Sequence, residues 1–217
     1  MSRTCASILL GLILTGCAST YRVVQIPERE ADMYPLSQTK EGLTIAIDEI
    51  RNAPRAQRYF GANLINAGIL PISVVVSNYG KHRLVVKPSD VLLQRGRDIV
   101  DPLPIQAVIA VAQDQHWFLH KHTREKVDTF FHSVVFKEAV LLPNDTYQGV
   151  MFFSVPKPKR QEDRFFSVWS LYAESGPRMR VGVTDLDEQG RLHFGPFSLS
   201  SQENAISSVS SDIFDRF

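Results

Sequence analysis

Three histidines stand close together in the run His116-Trp117-Phe118-Leu119-His120-Lys121-His122. On a helix, His116 and His120 would share one face at a spacing of four, a workable pair of metal ligands. Asp114 or Asp128 could add an oxygen ligand. No glutamate lies between the histidines, so the zinc-protease pattern is absent. The first reading of this stretch is a solvated loop. No metal and no cofactor is therefore assigned, and His116, His120 and His122 stand as the alternative, a periplasmic metal-handling function.

Other chemistry is thinly supplied. The chain has no Gly-x-Ser-x-Gly turn for a nucleophile and no glycine-rich phosphate loop. The carboxylates Asp48, Glu49, Asp185, Asp187 and Glu188 fall at expected strand ends and turns, where such residues form the turns themselves. Trp117, Trp169 and the phenylalanines on alternating strand positions read as core. The expectation is a protein without catalytic residues, and not an enzyme.

Cys17 carries a different chemistry. It ends the run Leu14-Thr15-Gly16-Cys17, after an apolar stretch and the positive charge of Arg3. The apolar stretch is shorter than the roughly 20 residues that cross a bilayer. The arrangement resembles a bacterial lipoprotein signal peptide with its lipobox. The resemblance implies a signal peptide over 1–16, cleavage before Cys17, and acylation of that residue, palmitate included. A thiolate suits thioether formation to a glyceride, and several acyl chains together anchor firmly where one is marginal. Ala18, where aspartate would favour inner-membrane retention, implies the outer membrane and its periplasmic face.

A mature chain from Cys17 to Phe217 carries 23 Lys+Arg and 23 Asp+Glu. No basic excess points to nucleic acid or to a polybasic lipid-binding run. Cys5 leaves with the signal and Cys17 is taken by lipid, so no thiol remains for a disulfide, a thiolate metal site or thiol catalysis. The domain must be held by its apolar core.

Residues 17–41 read as a lipidated tether, polar and proline-bearing, with a reach of about 80 Å at roughly 3.4 Å per residue, or less where Tyr21-Arg22-Val23-Val24-Gln25-Ile26 pairs as a strand. From 42 to 199 the chain is punctuated like a β-protein. Alternating or β-branched segments at 43–48, 69–76, 82–86, 89–94, 132–142, 147–155, 165–172, 178–186 and 191–199 read as strands. Residues 51–68 read as irregular, with one helical turn near 62–66. The insertion 101–131 breaks the β-pattern. Ile105, Val108, Ile109 and Ala112 recur at helical spacing, so a helix is expected over about 104–116, although 107–111 could also be a strand. Residues 117–130 read as loop. The insertion could carry function or close one end of the fold. The tail, 200–217, is serine-rich and reads as flexible.

Short strands between turn signals predict a mainly β fold, a β-sandwich of about eight to nine strands with one inserted helix. The stretch Val140-Leu141-Leu142-Pro143-Asn144-Asp145-Thr146-Tyr147-Gln148-Gly149-Val150-Met151-Phe152-Phe153 resembles the Leu-x-Pro-Gly-x-Thr-x-x-Gly-x-x-Phe-Phe edge of extracytoplasmic immunoglobulin-like domains, with Asn144 in place of glycine. The resemblance implies an immunoglobulin-like sandwich. The expected function is a non-enzymatic protein-binding or structural module of the cell envelope. Its partners would be the membrane, through lipid on Cys17, and an envelope protein, with no nucleic acid.

Overall fold

The computed structural model describes residues 21–115, 121–155 and 176–199. They form a mainly β fold of two antiparallel sheets. The strands are β1 (Ser37–Lys40), β2 (Leu43–Glu49), β3 (Ile69–Asn78), β4 (Leu84–Val86), β5 (Val91–Arg95), β6 (Asp98–Val100), β7 (Ala139–Leu141), β8 (Thr146–Ser154), β9 (Arg178–Asp185) and β10 (Arg191–Ser198). One sheet has the order β1-β2-β3-β8. The other runs β6-β5-β9-β4-β7, and β10 lies on the opposite edge of β9, since Val181 pairs with both Val91 and Phe194.

The sandwich is as expected, with ten strands among the described residues rather than eight or nine. The expected strand over 165–172 lies outside the described residues. The expected strand over 132–142 shrinks to β7, because residues 132–134 finish a helix.

β2 and β3 are buried along their whole length. Leu43, Ile45, Ile47, Ile72, Val74 and Val76 enter the main core. Ala46 and Val75 face the other way and are covered by Ala31 and Tyr34. A strand buried on both faces needs no polar alternation, hence the continuous apolar run of β3.

The cover over that second face comes from the stretch read as tether, and this corrects the expectation. Residues 21–40 lie on the body. The Tyr21 hydroxyl donates to the Phe60 carbonyl at 2.7 Å. Val24 N–H donates to the Arg58 carbonyl at 2.9 Å. Ala31 N–H donates to Ser77 Oγ at 2.9 Å, and β1 pairs in register with β2. Apolar residues that the polar surroundings disguised (Tyr21, Ile26, Leu36) pack on the core. From residue 21 the stretch is therefore part of the packed body.

Among the described residues, three α-helices complete the fold. Helix α1 (Ala53–Phe60) replaces the irregular stretch expected there. Asn52 caps it, accepting from Arg55 N–H at 3.2 Å, and Gly61 ends it at φ 64°. A side chain at Gly61 would run into the Tyr21 ring. Helix α2 (Ile105–Asp114) follows the expected stripe and buries Val108, Ile109 and Ala112.

Helix α3 (Lys121–Val134) was expected as loop. Its charged first half hides an apolar stripe: Val127 and Phe131 are buried, with Phe130 and Val134 packed beside them. Among its described residues the insertion thus holds two helices, and its apolar stripe joins the core. Phe131 stacks on Phe60 at 6.0 Å, and Phe152 of β8 meets both within 5.8 Å. This aromatic cluster, with Tyr21 on its rim, fills one end of the sandwich. No helix of the described residues is long and apolar enough to cross a membrane.

Candidate functional site at the turn end of the sandwich

The opposite end is built from turns, and Asn78 ties them together. It closes β3 and is buried. Its side-chain amide donates to the carbonyls of His82 at 2.8 Å and Leu142 at 3.1 Å, and its Oδ1 accepts from Gly80 N–H at 3.0 Å. Its backbone accepts from Asn144 N–H at 2.7 Å, and Tyr79 N–H donates to the Gly42 carbonyl at 2.7 Å. Turns at 40–43, 78–82 and 141–145 are thereby clipped to one residue. The left-handed backbone at this end falls on neighbouring turn residues, among them Gly42 (φ 79°) and Asn144 (φ 67°).

A fourth turn, after β9, joins through His82 and Arg83. Asp185 Oδ1 accepts the N–H groups of Asp187 (2.8 Å) and Glu188 (3.0 Å). Its Oδ2 lies 2.7 Å from His82 Nδ1. The far nitrogen of the same ring, Nε2, sits 3.7 Å from Glu188 Oε1. Asp187 accepts from Arg83 at its backbone N–H (2.7 Å), Nε (3.0 Å) and Nη2 (2.7 Å). Leu186 N–H returns to the Arg83 carbonyl at 2.9 Å.

These contacts set the charge states. The hydrogen bond to Asp185 holds the His82 imidazolium form to higher pH than an ordinary histidine, helped by the nearby charges of Asp185, Glu188 and Asp187. Burial pushes the Asp185 carboxyl up. The backbone N–H of Glu188, the His82 ring and the backbone N–H of Asp187 together outweigh it and leave the group below the usual carboxylate range. The hydrogen bonds from Arg83 hold Asp187 low as well.

The ligand-capable atoms of His82, Asp185 and Glu188 lie within 4.8 Å of one another. Asp185 orients the ring through Nδ1 and leaves Nε2 facing Glu188, the arrangement in which an imidazole backed by a carboxylate takes a proton or a cation. Around this polar patch the same turns expose large apolar side chains. Tyr79 is 44% exposed, Leu142 51% and Leu186 40%, and Val140 on neighbouring β7 is exposed too. Exposed apolar groups rimmed by charge are the composition of a contact surface.

The residues singled out from sequence fare differently. Cys17, His116 and His120 lie outside the described residues, and His122 lies in the first turn of α3. Asp48 and Glu49 pair with Arg55 and Arg51, the latter at 2.5 Å. Asp185, Asp187 and Glu188 do form a turn, as read. That His82 meets them 103 residues away had no local signal. Away from this patch, a concavity of about 430 Å³ runs between residues 23–28, α3 and β8, lined by Val23, Ile26, Phe130, Val134, Gln148 and Val150.

No protein-family model and no curated protein matches the sequence. Among solved structures, the chain is similar to the ycdA protein of Bacillus subtilis strain 168, described as a candidate lipoprotein. The two are 12% identical with a TM-score of 0.36, over 83% of this chain and 42% of that one. The chain thus spans well under half the length of ycdA. It is also similar to the yjhA protein of Bacillus subtilis, 9% identical with a TM-score of 0.35, over 74% of this chain and 95% of that one. Likeness at this level assigns neither protein's properties to this chain.

Proposed function

We propose that this protein is a lipid-anchored, non-enzymatic binding module of the bacterial envelope. Cys17 of the Leu14-Thr15-Gly16-Cys17 lipobox carries the acyl chains, palmitate among them. They hold the immunoglobulin-like sandwich on the periplasmic face of the outer membrane. Its partner is another envelope protein, met by the turn end through Tyr79, Leu142, Leu186 and the His82–Asp185 pair.

The observation that carries this reading is the polarity of the fold. Tyr21, four residues after Cys17, is fixed at the Phe60–Phe152 end. Phe152 pairs with Pro71, and seven residues of β3 lead from there to Asn78, about 23 Å at roughly 3.3 Å per residue. Tyr21, the described residue next in sequence to the anchor segment, and the turn surface therefore stand at opposite ends, which suits a module that must present one end outward.

Replacing Cys17 by Ser leaves an uncleaved precursor without the acyl mass on this reading. Normal maturation of that variant contradicts it. Alanine at Tyr79, Leu142 and Leu186 together leaves the fold and the anchor intact and removes the partner from the purified, detergent-solubilised protein. Retention of the partner contradicts the assignment of the surface.

The second reading, metal handling, gains one observation: the convergence of His82, Asp185 and Glu188. It moves the site away from His116, His120 and His122. Stoichiometric zinc uptake abolished by His82→Ala favours it. No uptake, or uptake indifferent to His82, disposes of it.

A further inference from the structure

We infer that the end of the sandwich opposite the turns docks on the lipid surface itself, with Arg22, Val24 and Arg58 as its contact. This rests on the anchoring of Cys17 proposed above.

The first described residue, Tyr21, already packs on the body. The Tyr21 hydroxyl is bound to the Phe60 carbonyl, and its ring stands edge-on to Phe130 at 6.3 Å. Only four residue steps join Cys17 to Tyr21, which span at most about 14 Å when fully extended. An acylated Cys17 sits at the boundary of hydrocarbon and headgroups. The headgroup layer of one leaflet uses about 5–8 Å of that length. At most about 6–9 Å of reach remains, which keeps the surface around Tyr21 within contact range of the headgroups.

That surface suits the contact. Val24 N–H donates to the Arg58 carbonyl, so residues 22–24 and the last turn of α1 are neighbours. The Val24 side chain is 52% exposed. Arg22 and Arg58 are exposed, and neither has a carboxylate partner among the described residues. Two guanidinium groups beside an apolar side chain match the phosphate and upper acyl layers of an anionic phospholipid surface. Carboxylates of the same segment lie further along. Glu28 lines the concavity beside α3, and Glu30 accepts from the Tyr79 hydroxyl at 2.9 Å, toward the turn end.

The test uses the full lipidated chain in vesicles of phosphatidylethanolamine and phosphatidylglycerol. Lipid occupies Cys17, so Val24→Cys or Glu188→Cys gives a single thiol for a fluorophore; both sites are exposed. A collisional quencher confined to the headgroups should quench the probe at 24 several-fold more strongly than the probe at 188. Adding Arg22→Glu and Arg58→Glu should cut the quenching at 24, each arginine being worth about fivefold in surface partitioning. Equal quenching at 24 and 188, or quenching at 24 that ignores the two charge reversals, overturns the docking. The mass of the N-terminal peptide reads the anchor separately. A peptide without acyl mass removes the anchor and the docking together, whereas an acylated peptide with equal quenching removes the docking alone.

Discussion

Asp185 holds Nδ1 of His82 at 2.7 Å across 103 residues of sequence, and so joins the turn after β3 to the turn after β9. The pair also sets a pH dependence. His82 has its folded pKa raised above 6.5, so its contribution to stability is fully present below about pH 6.5 and fades as pH rises through the raised value. His82→Ala is expected to lower the melting temperature at pH 5.5 and to matter much less at pH 9. A nuclear magnetic resonance titration should place the His82 midpoint above 6.5, and Asp185→Asn should bring it down. A His82 midpoint that Asp185→Asn leaves in place contradicts the coupling.

Asn78→Ala should be costly for its size. It strands the carbonyls of His82 and Leu142 and the N–H of Gly80 around a buried position. A loss of about 1–3 kcal/mol in chemical denaturation is expected. Hydrogen exchange should rise together at the turns around 42, 80 and 144. Faster exchange at only one of them speaks against a shared clip.

Glu49 gives the opposite end its own pH signature. Burial pushes its carboxyl up to about 8, against the pull of the Arg51 guanidinium 2.5 Å away. An acid whose folded pKa exceeds its unfolded value stabilises the fold below the unfolded value and stops doing so as pH rises through the folded one. The denaturation midpoint should therefore decline from about pH 4.5 to about pH 8, and Glu49→Gln should flatten that decline. An unchanged slope in the glutamine variant rules out this source.

Phe131→Ala should cost about 3–5 kcal/mol, since it opens a cavity among Phe60, Phe130 and Phe152. Gly149→Ala should also destabilise, because a Cβ there would lie 2.5 Å from Phe136 Cα on the neighbouring segment. Urea midpoints read both. Tolerance of alanine at 149 means that the 134–136 segment does not press on β8 as described.

How far the sequence discloses this fold depends on the range of the forces involved. β3, β9 and β10 follow from local β-branched patterning, and α2 from its helical stripe. Helix α1 was equally local: Asn52, Pro54 and Gly61 are start and stop signals, but the polar residues between them masked a helix with only Ala56 and Phe60 buried. Helix α3 hid its stripe behind charges that face water. Residues 21–40 read as a leash because their apolar side chains are spaced to fit an existing surface, with no period of their own. At the candidate site, Asp185 and Asp187 were legible as turn formers. The histidine they hold was not, since tertiary closure alone brings it there.

The most direct measurement is photocrosslinking in living cells with one benzophenone side chain placed at Leu142 or at Arg58. Leu142 is expected to yield one reproducible protein adduct in the envelope fraction, and Arg58 to yield lipid adducts. A protein adduct at Arg58 with none at Leu142 would contradict this arrangement.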